Sequence, residues 1–404
     1  MRDHWLFWLL TAFVVNQAGM NLVRPMVSYR ALSLGVDTAG LGVLSAVFSI
    51  APLAVALRLG RLVDIKGELP FVFGGTILMG LVAFGLAAAD SQLWVYLLFM
   101  LFGLGHLSVT VATQGMVARG SDERTYDQRF SAFSLAASVG QLIGPAIAGI
   151  VAGQGSTDET TLALAIGGGL AMAALPVALL IRSPATARPA KQGGGPKPSL
   201  LSILRTPGVA RAILVSTTVL SAIDIMVIYM PALGEERLWP ASLVGLLLAI
   251  RAGSSMAMRI VLGRLAARFG RPILLSLSMA VSAVALIAIP FTFAVPVMAL
   301  LMVATGAGLG IGQPMTMSWV ASLAAPGARA TALSVRLMGN RMGQVALPVV
   351  AGTVAAVGGA GGVLGVTGAI VALSLAGVYG GLSARRTSRQ PPANATPRPV
   401  EPRS

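Results

Sequence analysis

Cysteine is absent from the 404 residues, and histidine is confined to His4 and His106. The first absence excludes a disulfide framework and thiolate chemistry, and the two together leave no ordinary ligand set for a metal. Charge is scarce as well: 11% of residues are charged, with 14 Asp and Glu against 29 Lys and Arg. A chain that is 55% hydrophobic with a mean hydropathy of +0.82 cannot present a water-compatible surface, so it is an integral membrane protein. The formal charge of +15 falls in links between apolar runs, which reads as membrane topology and not as a nucleic-acid patch. No Gly-x-x-x-x-Gly-Lys-Ser/Thr loop is present. The glycine run from Gly306 to Gly312 lacks a preceding strand and the Gly-x-Gly-x-x-Gly spacing, so ATP drive and a nucleotide cofactor are both unexpected. No nucleophile with a base, and no cluster of ligands, points to an enzyme.

What the chain does contain is apolar length. Twelve runs of about 18 to 25 residues can each cross a hydrocarbon core as helix: 5–27, 38–57, 71–89, 93–117, 130–152, 162–181, 210–230, 242–262, 272–289, 295–321, 330–356 and 361–382. The first run is too long for a signal peptide and is expected to stay in the mature protein. The fold class is therefore all-α integral membrane, with twelve transmembrane helices.

Seventeen basic residues lie in one alternate set of links and only Arg30 and Arg237 in the other. That asymmetry places the first set, and both termini, in the cytoplasm. Arginine far outnumbers lysine, and alanine and glycine abound, which suggests a bacterial protein of the cytoplasmic (inner) membrane. Residues 1–182 form an N-terminal six-helix half, 183–208 a mobile Pro/Gly-rich basic linker, and 209–382 a C-terminal half. The tail 383–404, rich in Pro and Arg, is expected to be disordered and drawn to anionic lipid headgroups.

The halves are copies. Gly60, Leu62 and Gly67 recur as Gly263, Leu265 and Gly270 at an offset of 203 residues, which also carries Gly103 and Gly105 onto Gly306 and Gly308. Gly140-Gln141, Pro145 and Gly149 fall in the same way on Gly343-Gln344, Pro348 and Gly352. Each copy has an even number of crossings before its glycine-bounded link, so the two share one orientation about an axis along the membrane normal.

Two six-helix repeats and a Gly-x-Leu-x-Asp-x-x-Gly link after the second span resemble the major facilitator superfamily over nearly the whole chain. The superfamily's link usually continues Asp-Arg-x-Gly-Arg-Arg. This sequence keeps Gly60, Leu62, Asp64 and Gly67 but has Ile65, Glu68 and Leu69 where basic residues are usual. The second copy keeps Gly263, Leu265, Arg268, Gly270 and Arg271 but has Ala267 for the acid. In the fifth span Gly140, Gly144, Pro145, Ala148 and Gly149 look like the hinge motif of drug and metabolite antiporters, with Ser131 and Ala148 departing from it. Glycines four apart let helices approach, and a proline lets one bend; the alternative is passive packing. The resemblance implies alternating access and a cytoplasmic gate at Asp64. It also implies a central cavity lined by the first, fourth, seventh and tenth spans, with help from the second, fifth, eighth and eleventh.

Ionisable residues at bilayer depth are costly and mark function unless they reach an interface. Asp224 is the one acid deep in a span, and Asn21 is its repeat equivalent. It is the candidate proton site, with His106 in the fourth span as a second candidate that could equally be a hydrogen-bonded structural residue. Arg251 lies at similar depth and could pair with Asp224, as a permanent bridge or a switch. Arg251, Arg341, Asn340 and Asn21 are the candidate substrate-binding residues. Arg336 is expected to snorkel to the cytoplasmic end, and Arg24 to reach the outer interface.

These features point to a monomeric secondary transporter with a small-molecule substrate and the proton as coupling ion. Proton-coupled efflux of an amphipathic compound leads; uptake of an organic anion with protons is the alternative, favoured by Arg251 and Arg341. A membrane receptor or sensor without transport is the reading from another class.

Overall fold

The links break the chain into helices where local chemistry says they should. Ser156 opens one helix with a reciprocal capping box to Glu159, and Pro272 stands in the first turn of another, just after Gly270. Gly67 and Gly270 close the second and ninth helices at φ of 85° and 78°, backbone angles that a side chain disfavours. The second glycine of each repeated link is thus a helix terminator, while Gly60 and Gly263 lie within the helices.

The computed structural model describes residues 4–121, 125–181, 200–323 and 329–387. Its α-helices are α1 (His4–Ser33), α2 (Gly40–Lys66), α3 (Leu69–Ala87), α4 (Gln92–Gly120), α5 (Tyr126–Ala152) and α6 (Thr157–Leu179). They continue as α7 (Leu200–Leu204), α8 (Val209–Glu236), α9 (Ala241–Phe269), α10 (Arg271–Ala288), α11 (Val295–Leu323) and α12 (Arg329–Thr387). Among the described residues there is no strand.

Ten helical stretches are long and apolar enough to cross a membrane, and α2, bent near residue 57, makes up to eleven. One of the ten, Ala332–Leu375, has 44 residues, which as straight helix would run about 66 Å, twice a hydrocarbon core. It is two crossings. Gly359, at φ 59° and ψ −166°, breaks α12, and Asn340 and Ser374 on either side of the break meet the adjacent residues Thr217 and Thr218 of α8. The chain has therefore doubled back. A side chain at Gly359 would press on the Glu236 carboxylate, which accepts from the N–H of Ala360 at 2.7 Å and so caps the returning arm. The twelve crossings read from the sequence are accounted for.

Two expectations shift. The proposed linker contains the short helix α7, while its residues 183–199 and residues 388–404 of the tail lie outside the described residues. Several helices outrun their apolar cores; α1 continues to Ser33, six residues past the end of its run.

The repeat is visible in the packing. Gly103 presses on the carbonyl of Phe48, and Gly306 on that of Arg251, 203 positions later; Gly105 abuts Gly75 and Met79, and Gly308 abuts Ser278 and Ser282 at the same offset. Helices α1 to α6 pack mainly with one another, as do α8 to α12, and the groups meet through α5 on α9, α2 on α12 and α1 on α8.

These meetings are concentrated towards one face. Gly149 of α5 lies against Gly245 of α9, and Gly42 of α2 against Gly352 of α12, again related by 203 positions. Beyond them the Ser242 N–H donates to the Gly153 carbonyl at 2.9 Å. At the opposite face, which carries the repeated links, nothing among the described residues lies within 4 Å of where a Cβ would stand on Gly60, Gly67 or Gly263, and Asp64 is exposed. The two groups converge at one face and diverge at the link face.

Candidate functional site

Between the two faces lies a charged cluster built from helices of both groups. Arg24 stands nine residues before the end of α1, and Asp224 twelve before the end of α8. At 1.5 Å per residue these are about 14 and 18 Å in, near mid-membrane. Arg24 Nη1 lies 2.6 Å from Asp224 Oδ1, with both residues 5% exposed. Gln344 of α12 donates from Nε2 to the other oxygen, Asp224 Oδ2, and accepts at Oε1 from Arg341 Nη1 at 3.1 Å. The Arg24 guanidinium also sits 5.0 Å from the centre of the Phe48 ring, whose stacked neighbour at 6.0 Å is His106.

By depth Asp224 could pair with Arg251; the structure pairs it with Arg24. The error lay in the end of α1: its apolar run stops at 27 but the helix reaches Ser33, so Arg24 is too deep to reach the interface. Breaking such a pair from one side leaves a buried charge uncompensated, at about 3 to 5 kcal/mol. Attraction here ties one half of the bundle to the other.

Arg251 is nearby in α9, within the electrostatic reach of Arg24, Asp224 and Arg259. It is 4% exposed, yet it makes no hydrogen bond or ion pair among the described residues, and its Nε is buried without a partner. Arg259, two turns further on, is occupied: Nε donates to the Gly310 carbonyl at 2.9 Å and Nη1 to Ser138 Oγ of α5 at 2.6 Å. Sequence reasoning missed Arg259, Ser138 and Phe48. The repeat offers a signal for two of them, because Ser138 corresponds to Arg341 and Phe48 to Arg251.

The remaining candidates separate. His106 and Arg341 sit at mid-span within reach of each other and of Arg24, yet are only half-buried, as groups on the wall of an internal space would be. His106 Nδ1 has no hydrogen-bond partner among the described residues. Asn21 is drawn away from the cluster: its amide donates to the Gln17 carbonyl at 2.8 Å, and its Cβ packs on Gly144. The Asn340 amide oxygen accepts from Thr217 at 3.3 Å. Arg336 does not snorkel; it is 4% exposed and donates to the carbonyl and side-chain oxygens of Gln313, the latter at 2.6 Å, and to Thr316.

The fifth-span glycines divide their work. Gly140 and Gly144 face α1 of their own group, at Gln17 and Ala18, whereas Gly149 and the Pro145 carbonyl face Gly245 of the other. In the links, Asp64 is exposed and Arg268 lies 5.4 Å from the Phe269 ring. Glu68, one of the departures from the basic pattern, is buried with its Oε1 2.8 Å from Arg119 Nη2, close enough for an ion pair but off hydrogen-bond alignment.

The sequence pattern described as Major Facilitator Superfamily matches residues 9–238 and 221–404. No curated protein matches the chain. Among solved structures the fold is similar to a mutant of the nucleoside transporter NupG, with TM-score 0.77 and 13% identity over 94% of this chain and 100% of that one. It is similar also to a bacterial homologue of the human lysosomal transporter Spinster in an inward-facing, occupied conformation (0.76, 15%, 97% and 99%). The human organic anion transporter MFSD10 gives 0.67 and 15% over 92% and 98%. At these identities the likeness is one of fold.

Proposed function

The chain belongs to the major facilitator superfamily, and within it we propose a proton-coupled secondary transporter that works by alternating access, with the Arg24 and Asp224 pair as its coupling element. The observation that carries this is the pair itself: an ion pair at mid-depth joins helices of opposite groups, where rocking one group on the other must stretch it. A proton on Asp224 removes the attraction. The basic links mark the divergent face as cytoplasmic, so this state is open to the cytoplasm and closed outside by the two glycine contacts. Asp64 would engage the opposite group when that face closes. A bacterial cytoplasmic membrane and a monomer fit the same reading.

Two coupling modes share this geometry. Efflux of an amphipathic compound in exchange for protons is supported by the resemblance of the fifth span to antiporter hinges. Uptake of an organic anion with protons is supported by Arg251 and Arg341, two guanidinium groups beyond the one that Asp224 neutralises.

Purified protein in proteoliposomes with an internal pH dye tests the reading across a panel of drugs and organic acids. The expected result is proton flux that appears only with a transported compound and disappears in Asp224→Asn. Substrate movement indifferent to an imposed pH gradient would overturn proton coupling, and binding without movement would favour a receptor.

A further inference from the structure

The two halves present unlike walls to the space between them. Positions related by the 203-residue repeat are Phe48 and Arg251, Asn21 and Asp224, Ser138 and Arg341. In these three pairs the N-terminal member is uncharged and the C-terminal member charged, while Arg24, whose counterpart is Val227, runs the other way. Phe48 faces the cluster, its ring 5.0 Å from the Arg24 guanidinium and stacked with His106. Arg251 starts from the equivalent backbone position, held by the equivalent glycine contact, and lies within reach of Arg24 and Asp224.

Charge accounting then leaves a surplus. Arg24 is neutralised by Asp224, Arg259 is held by the oxygens of Gly310 and Ser138, and Arg341 has, among the described residues, only the amide oxygen of Gln344. Arg251 has no hydrogen-bond or ion-pair partner among them. A planar guanidinium is built for bidentate contact with an oxyanion, and it cannot shed its charge as a buried lysine can.

We propose that Arg251, assisted by Arg341, binds the carboxylate or phosphate group of the substrate, so that the transported compound is an organic oxyanion whose apolar part lies toward Phe48 and His106. The proposal rests on the transporter reading and adds the sign of coupling. The charged groups facing Asp224 are Arg24 from α1, Arg251 from α9 and Arg341 through Gln344 from α12. A proton on Asp224 frees Arg24, which becomes a third cation for the incoming anion; conversely, an anion that engages Arg24 leaves Asp224 to the proton. Each ligand favours the other, and by linkage that favour is mutual. Proton and anion therefore travel in the same direction.

The test is equilibrium binding by the full chain in detergent, read as the thermal unfolding midpoint against concentration of four probes: benzoate, phenyl phosphate, benzyl alcohol and benzyltrimethylammonium. The two anions are expected to raise the midpoint, more strongly at acidic pH, and the neutral and cationic probes are not. Arg251→Gln is expected to raise the half-saturating anion concentration about tenfold or more, Arg251→Lys by less, and the exposed control Arg58→Gln not at all. Should Arg251→Gln fail to fold, Arg341→Gln and Arg251→Lys carry the same comparison.

Equal stabilisation by benzyltrimethylammonium, no stabilisation by either anion, or an anion response unchanged in Arg251→Gln would overturn the proposal. Because no gradient is involved, anion binding without transport would sink only the transporter reading, and proton-coupled transport of cations without anion binding only this one.

Discussion

Arg24 and Asp224 stand 200 positions apart in the chain and 2.6 Å apart in the fold. Their pairing has unequal consequences when broken. Asp224→Asn strands a guanidinium that cannot lose its charge, whereas Arg24→Gln strands a carboxylate that can take a proton. At neutral pH Asp224→Asn should therefore be the more destabilising, costing about 3 to 5 kcal/mol. The loss in Arg24→Gln should shrink in acid, and the double variant should recover part of both. Denaturation at neutral and acidic pH measures this; equal, pH-independent losses would remove the charge argument.

Transport should separate from stability at the same residue. Folded Asp224→Asn is expected to exchange substrate at equal pH on both sides yet fail to accumulate it under a pH gradient, since exchange needs no net proton movement. Wild-type accumulation would shift the coupling role to His106.

The glycine contacts at the convergent face should govern closure. Gly245→Leu and Gly42→Leu each insert a side chain against backbone of the other group, so both should hold that face open and stop turnover while the halves stay folded. The absence of native cysteine makes single-cysteine labelling there a clean readout. Gly144 behaves differently: it packs on α1 of its own group, so Gly144→Leu should lower stability by about 1 to 3 kcal/mol as overpacking does. Labelling of Gly245→Leu at the wild-type rate would contradict the assignment.

Asp64→Asn lies at an exposed position, where substitutions shift stability by no more than about 0.5 kcal/mol. Its expected effect is slower turnover at unchanged stability. Unaltered turnover would take Asp64 out of the gate.

Gly359→Ala forces a side chain into φ 59° beside the Glu236 carboxylate. A cost of about 1 to 3 kcal/mol is expected, measurable as a lowered melting temperature.

The sequence disclosed the crossings and the repeat because both are one-dimensional: apolar length counts spans, and an offset of 203 survives as glycine spacing. It disclosed depth less well. Arg24 looked interfacial only because hydropathy ends at residue 27 while hydrogen bonding carries α1 to Ser33. Azimuth was not legible at all: Arg251 and Arg24 are comparably deep, but which one meets Asp224 depends on how α1 and α9 are turned against α8. The polar residues Asn21 and Asn340 were drawn toward local oxygens and a neighbouring helix by the same hidden rotation.

Among the described residues, Asp224 is the one carboxylate in the central cluster, and that sets a ceiling. A cycle coupled through it would move a single proton, so a monovalent oxyanion carried with that proton would cross without net charge and draw on the pH difference alone. Each pH unit is worth about 1.4 kcal/mol, so the concentration ratio sustained can rise about tenfold per unit and no further. Membrane voltage would add nothing for a monoanion. A second acid at the repeat position, where Asn21 now stands, would square that ratio and make the cycle respond to voltage.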